Sequence, residues 1–80
     1  MVSKGLSLSP NPSGDRVHIV TTQKAGPHHL CVYAPDGLEI LSISFTGLVA
    51  HADISGFPAG IYFVRVTSDR NVETGRFIKN

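Results

Sequence analysis

Glycine and proline punctuate this 80-residue chain from end to end, and the apolar residues between them come in short runs that recur at every second position. No window of about 12 residues carries apolar side chains at i, i+3, i+4 and i+7 without such a break. Leu6 and Leu8 alternate with Ser7 and Ser9, Val17 and Ile19 flank His18, and Leu30 and Val32 flank Cys31. Tyr62, Val64 and Val66 alternate with Phe63 and Arg65. A period of two buries one face of a strand, so these runs predict strands with one side in a core.

The turn residues sit where such strands must end. Ser9-Pro10-Asn11-Pro12-Ser13-Gly14-Asp15 is a turn cluster, because a residue before proline is pushed out of the helical region. Ala34-Pro35-Asp36-Gly37 predicts a hairpin closed by a three-residue loop with a bulge, glycine taking the left-handed position. Ser68-Asp69-Arg70-Asn71 predicts another, with Asn71 as its left-handed residue. Strands are expected at about 5–9, 16–22, 28–34, 38–44, 48–54, 61–68 and 72–79. Seven short antiparallel strands in one small domain predict an all-β, immunoglobulin-like sandwich, with a small barrel as the second choice.

Composition excludes several classes of function. Apolar residues at 41% supply one modest core, and the chain has no room for two domains with a cleft between them. Seven basic against six acidic side chains give a net charge of +1, too little to gather nucleic acid or an anionic membrane. A single cysteine, Cys31, excludes an intrachain disulfide and a cysteine-rich zinc site. Residues Met1 to Gly5 carry no apolar segment of a signal peptide, and no apolar run approaches the roughly 20 residues of a membrane helix.

The remaining candidates for chemistry are few. His28, His29 and Cys31 are close in sequence, but a zinc site needs about four converging ligands, with His18 or His51 added by the fold. No recognised ligand spacing is present, so no metal site and no cofactor are expected; exposed strand-end histidines and a buried thiol explain the group. Cys31 and His29 are spaced wrongly for a catalytic triad, Asp36 and Asp53 read as turn and strand-end residues, and there is no phosphate-binding glycine loop. The chain is therefore not expected to be an enzyme. Sugar or polymer binding would want exposed aromatic residues; Tyr62 and Phe77 fall on core positions, leaving Tyr33 and Phe63. Phe57-Pro58-Ala59-Gly60-Ile61-Tyr62 suits a tyrosine corner, in which the Tyr62 hydroxyl bonds a backbone group a few residues upstream. The final strand, Thr74 to Asn80, is basic, and Arg65, Arg70, Arg76 and Lys79 fall in the last sixteen residues, partly offset by Asp69 and Glu73. It reads either as an edge strand guarded by charge or as a docking strand for another protein.

These residues together resemble a known family. Leu8-Ser9-Pro10-Asn11-Pro12-Ser13-Gly14 is similar to the opening of the C-terminal sorting domains of the bacterial type IX secretion system. Val32-Tyr33 followed by Asp36-Gly37 and Ile40 resembles the family's middle motif. Ile54-Ser55-Gly56-Phe57-Pro58-Ala59-Gly60-Ile61-Tyr62-Phe63-Val64-Arg65-Val66 closely resembles its third motif, and Arg76-Phe77-Ile78-Lys79 its basic and apolar ending. The pieces lie in the family's order over nearly the whole chain. Ala34, Glu39, Asn71 and the extra Asn80 depart from the pattern.

The resemblance implies that residues 1–80 are a single sorting domain from the end of a longer secreted protein, Met1 being an added start. It implies a non-catalytic signal that directs an N-terminal cargo from the periplasm through the outer-membrane translocon, to the outer membrane, cell surface or exterior. A shuttle β-barrel and a cysteine-protease-like sortase, which removes the domain, are the implied partners. Gly75, Arg76, Phe77, Ile78 and Lys79 are the expected recognition residues, and Pro10, Asn11, Pro12, Gly14, Gly37, Gly60, Tyr62 and Val64 the scaffold of the motifs. The alternative is a non-catalytic immunoglobulin-like binding or adhesion module of a secreted protein. An edge-strand homodimer is a further expectation for the isolated domain.

Overall fold

The computed structural model describes residues 6–9, 14–22, 26–68 and 71–80. It places seven strands in chain order: β1 (Ser7–Ser9), β2 (Arg16–Val20), β3 (His28–Tyr33), β4 (Glu39–Phe45), β5 (Val49–Asp53), β6 (Gly60–Ser68) and β7 (Asn71–Lys79). All pairings are antiparallel, in a three-stranded sheet of order β1-β2-β5 and a four-stranded sheet of order β4-β3-β6-β7. This is the expected all-β, immunoglobulin-like sandwich. The barrel is excluded, because the sheets are separate ladders.

The period-two pattern decides which faces meet. Val17 and Ile19 of β2 and Ala50 and Ala52 of β5 turn inward from one sheet. Leu30, Val32, Tyr62, Val64, Val66 and Phe77 turn inward from the other, and Ile54 closes the core beyond β5. Each fully buried aliphatic or aromatic side chain contributes about 1.5–3 kcal/mol relative to exposure. The two alanines opposite the bulky residues let the layers interdigitate.

Local chemistry closes the β3–β4 hairpin as expected. Gly37 N–H donates to Ala34 O at 2.8 Å, and Ala34 N–H donates to Leu38 O at 2.8 Å. Leu38 N–H donates to Asp36 Oδ1 at 3.0 Å. Gly37 has φ 90°, a conformation that a Cβ would disfavour. The register also shifts between Val32 and Tyr33, leaving Ile40 as an extra residue on β4; this irregularity lies inside the ladder, beyond the loop that Gly37 closes, and is not the bulge expected from the sequence.

The β5–β6 connection is a tyrosine corner. The Tyr62 hydroxyl donates to Pro58 O, four residues upstream. The ring lies 5.1 Å from Phe57 and stacks on Phe77 at 5.4 Å with an interplanar angle of 17°. Phe57 N–H donates to Ile54 O at 2.9 Å, and Ser55 N–H donates to Asp53 Oδ1 at 3.0 Å, fixing the turn before the corner. The hydrogen bond from Ser55 holds the Asp53 carboxyl below its ordinary value.

Two sequence expectations are corrected. Asn71 is not left-handed: no described residue other than glycine has positive φ, and Asn71 opens β7 in register with Ser68. The β6 and β7 ladder runs one pair further than expected, which draws Asn71 into the strand. His28 is not an exposed strand-end residue. It faces inward at 4% exposure, its Nδ1 lies 2.5 Å from Ser68 Oγ, and its ring lies 5.0 Å from Phe45. The turn at Pro10, Asn11 and Pro12 lies outside the described residues; Gly14, just after it, is exposed.

Candidate functional site: the outer face of the four-stranded sheet

Alternation sends one set of side chains on β3, β6 and β7 out to solvent, and register brings them together. Ile61 pairs with Ile78, Phe63 with Arg76, and Arg65 with Thr74 across β6 and β7. Tyr33 pairs with Phe63, and Cys31 with Arg65, across β3 and β6. Ile61, Phe63 and Ile78 are each between 44% and 46% exposed, so three neighbouring large apolar side chains stand open to water. A contiguous apolar surface of this kind marks an interaction site more often than scattered exposed residues do.

Beside them, Tyr33, Phe63, Arg65, Thr74, Gly75 and Arg76 line a shallow depression of about 500 Å³. One Arg65 Nη donates to the Tyr33 hydroxyl at 2.7 Å, and the guanidinium lies 5.4 Å from the Tyr33 ring centroid. Cys31, opposite Arg65 and beside the Tyr33 phenol, is only 5% exposed although it is on the outer side of β3. Desolvation first, and then the Cys31 thiol, push the Tyr33 phenol above its ordinary value, while Arg65 opposes them.

Charge on this face is less balanced than the sequence suggests. Glu73, which the linear sequence sets against the arginines, turns inward and is 5% exposed. Its carboxylate accepts from the Thr21 and Thr22 hydroxyls, and Thr22 N–H donates to Oε1 at 3.2 Å and Oε2 at 3.4 Å. Burial alone would raise the Glu73 pKa, but these hydrogen bonds and the nearby His28 outweigh it and hold the carboxyl below the ordinary glutamate value. Arg65 and Arg76 therefore have no acidic neighbour from β7 on the outer face. Glu39, opposite Tyr33 on β4, is the acidic residue at its far rim.

The five expected recognition residues divide between two sides of β7. Arg76 and Ile78 point outward and are exposed. Phe77 is fully buried and belongs to the core. Lys79 is half-buried, with Nζ 3.2 Å from Asn80 O. Gly75 is half-buried beneath β1: a Cβ there would lie 2.6 Å from Leu8 Cδ1 and 3.3 Å from Leu6 Cβ. Leu6 N–H also donates to Thr74 O at 3.5 Å. The terminal strand is thus not a bare edge at Thr74, and what it presents to solvent is a face. The scaffold residues also fall into place. Gly37 turns the hairpin, Gly60 opens β6 at φ 155°, and Tyr62 and Val64 are core. A second depression of about 460 Å³ lies between the hairpin and the corner, lined by Pro35, Asp36, Ile40, Pro58 and Tyr62 among others.

The histidines and the cysteine do not converge. His29 lies on the outer side of β3 with Nε2 2.8 Å from Ser42 Oγ and Nδ1 3.5 Å from Ser44 Oγ. Cys31 lies under Arg65, and His18 and His51 are on the other sheet. Among the described residues, no three His, Cys, Asp or Glu side chains form a metal cluster.

The model of the secretion system C-terminal sorting domain family matches residues 7–80. The chain belongs to that family. A search of curated proteins gave no match. Membership makes this a type IX C-terminal sorting signal, a part of a larger cargo chain bound for the cell surface or the extracellular space. The matched segment begins at β1 and includes β7, so the outer face and the Leu8–Gly75 contact both lie within the sorting domain.

Proposed function

We propose that this sorting domain is read on the outer face of β3, β6 and β7, with Arg76 and Ile78 as the terminal-strand residues that touch the translocon. Gly75, Phe77 and Lys79 then act by holding β7 in place. The observation that carries the reading is the juxtaposition of Ile61, Ile78 and Phe63 with the Arg76 guanidinium on one open face. Apolar contact supplies affinity for a partner, and a rim cation supplies orientation and rate of encounter. On this reading an outer-membrane shuttle barrel receives the folded domain after periplasmic transit, and a cysteine-protease-like sortase then separates it from its cargo.

The test is export of a reporter fused upstream of the domain in a type IX-competent bacterium. Deleting Gly75 to Asn80 is the crude form, but it also removes Phe77 from the core. Phe63→Ser and Arg76→Glu leave the core intact and are the decisive variants. Export of the parent and failure of both variants supports the reading. Export of all three places recognition elsewhere on the domain. Failure of the parent fusion favours the alternative, an accessory binding module of a secreted protein.

A further inference from the structure

We propose that His18 and His51 form a two-histidine site for a divalent transition-metal ion on the outer face of the β1-β2-β5 sheet. The site is separate from the face assigned to sorting. The two residues are direct partners in the antiparallel register of β2 and β5. Opposed residues in such a pair hold their Cβ atoms about 4.5–5.5 Å apart, so both side chains leave the sheet side by side. Both are exposed. Their ring centroids lie 4.4 Å apart, with the planes at 74°.

The spacing is close to what chelation requires, since metal–nitrogen bonds of about 2.0–2.1 Å put the centroids of two imidazoles on one ion roughly 4.5–5.2 Å apart. In the edge-to-face contact one ring edge meets the other ring's face, so both rings must also turn about their side-chain torsions to aim a nitrogen at the same ion. The ring nitrogens are also available. His28 is engaged by Ser68, and His29 meets Ser42 and Ser44. The His18 and His51 rings make no hydrogen bond with any described residue, and the ring contact they make is with each other. On this face of the ladder, Arg16 and Asp53 form the next pair on one side, two positions along, and Val20 and Val49 the next on the other. No bulky described residue stands directly between the rings and solvent.

Two protein nitrogens leave the other coordination positions to water. The site therefore suits an ion that accepts imidazole strongly, in the order Cu²⁺ above Zn²⁺. Residues 18 and 51 are far apart in sequence, and β3 and β4 lie between them. An ion held by both fastens β2 to β5 and binds the paired state only. At a free concentration about 100 times Kd, it raises the folded-to-unfolded ratio about 100-fold.

The intact domain is titrated at neutral pH with zinc chloride and with copper(II) chloride, followed by calorimetry and thermal melting. The same is done for His18→Ala, His51→Ala and, as a control, His29→Ala. The expected result is one ion per domain, tighter for copper, with a raised melting temperature. Either His18→Ala or His51→Ala lowers affinity by at least about tenfold and removes the melting shift, while His29→Ala does neither. Paramagnetic broadening by Cu²⁺ should begin at amides of β2 and β5. Unaltered binding by the two site variants, broadening centred on another element, or no binding by the parent domain would each overturn the proposal.

Discussion

Gly75 lies directly beneath Leu8, so close that a Cβ at position 75 would meet the Leu8 Cδ1 at 2.6 Å. This contact joins the first strand of one sheet to the last strand of the other. The Leu8 methyl is the free end of a side chain and can swing aside, whereas Leu6 Cβ, 3.3 Å from the same point, cannot. Gly75→Ala should therefore destabilise the domain, by less than Gly75→Val, which should cost about 1–3 kcal/mol by overpacking. Leu8→Ala in the Gly75→Val background should recover part of the loss. Urea unfolding of the four proteins gives the coupling, and simple additivity would contradict the contact.

The Tyr62 hydroxyl has one described partner, Pro58 O, and the ring is 3% exposed. Tyr62→Phe keeps the stacking on Phe77 and removes only this bond. A loss of about 1 kcal/mol in unfolding free energy is expected. An unchanged denaturation midpoint would show that the corner is held by packing alone.

Glu73 links acidity to stability. Its folded-state pKa is depressed, so its contribution is fully present above the ordinary value of 4.5 and is lost as pH falls through the folded value. Glu73→Gln removes the charge from four donor contacts and should cost about 1–2 kcal/mol at neutral pH. The variant should also lose the part of the acid-side slope that belongs to this carboxyl. Melting temperature against pH for the two proteins tests both statements, and parallel curves below pH 4.5 would refute the assignment.

Arg65 holds the Tyr33 hydroxyl at 2.7 Å over the Cys31 side chain. Arg65→Ala should uncover the thiol. Its reaction with a thiol reagent should accelerate in the folded protein, while stability changes by less than about 1 kcal/mol, as for most exposed polar contacts. Equal reaction rates would mean that other neighbours, the Tyr33 side chain among them, and not Arg65, shield the sulfur.

The sandwich was readable because its information is local. Alternation at Val17–Ile19 and Tyr62–Val66 gives the inward faces, and Asp36-Gly37 and Pro58-Gly60 give the corners. The ordering of strands into two sheets is a property of long-range pairing, and it determines what the local pattern leaves open. Glu73 shows this. It shares the inward parity of Gly75 and Phe77, a signal present in the sequence, but its partners Thr21 and Thr22 come from the end of β2 on the other sheet. His28 likewise has inward parity with Leu30 and Val32; its Nδ1 meets Ser68, forty positions away, while its Nε2 is buried with no hydrogen-bond partner among the described residues. The apolar and cationic face was half visible. Arg76 and Ile78 could be placed on the terminal strand, but Ile61 and Phe63 join them only through the β6–β7 register. The His18–His51 pair has no sequence signature, because two residues so far apart meet only when β2 and β5 pair.

The tie between Leu6 and Thr74 has a mechanical consequence. Tension applied to the chain upstream of residue 6 reaches the domain through a three-residue strand, held by its short ladder with β2, one backbone bond of 3.5 Å to β7, and two leucines resting on a glycine. The β6–β7 ladder, by contrast, runs over nine residue pairs. A tug from an attached cargo would thus meet the shortest ladder of the fold first and the longest last, so the expected order of rupture leaves the arginine-bearing sheet assembled after the entry strand has peeled.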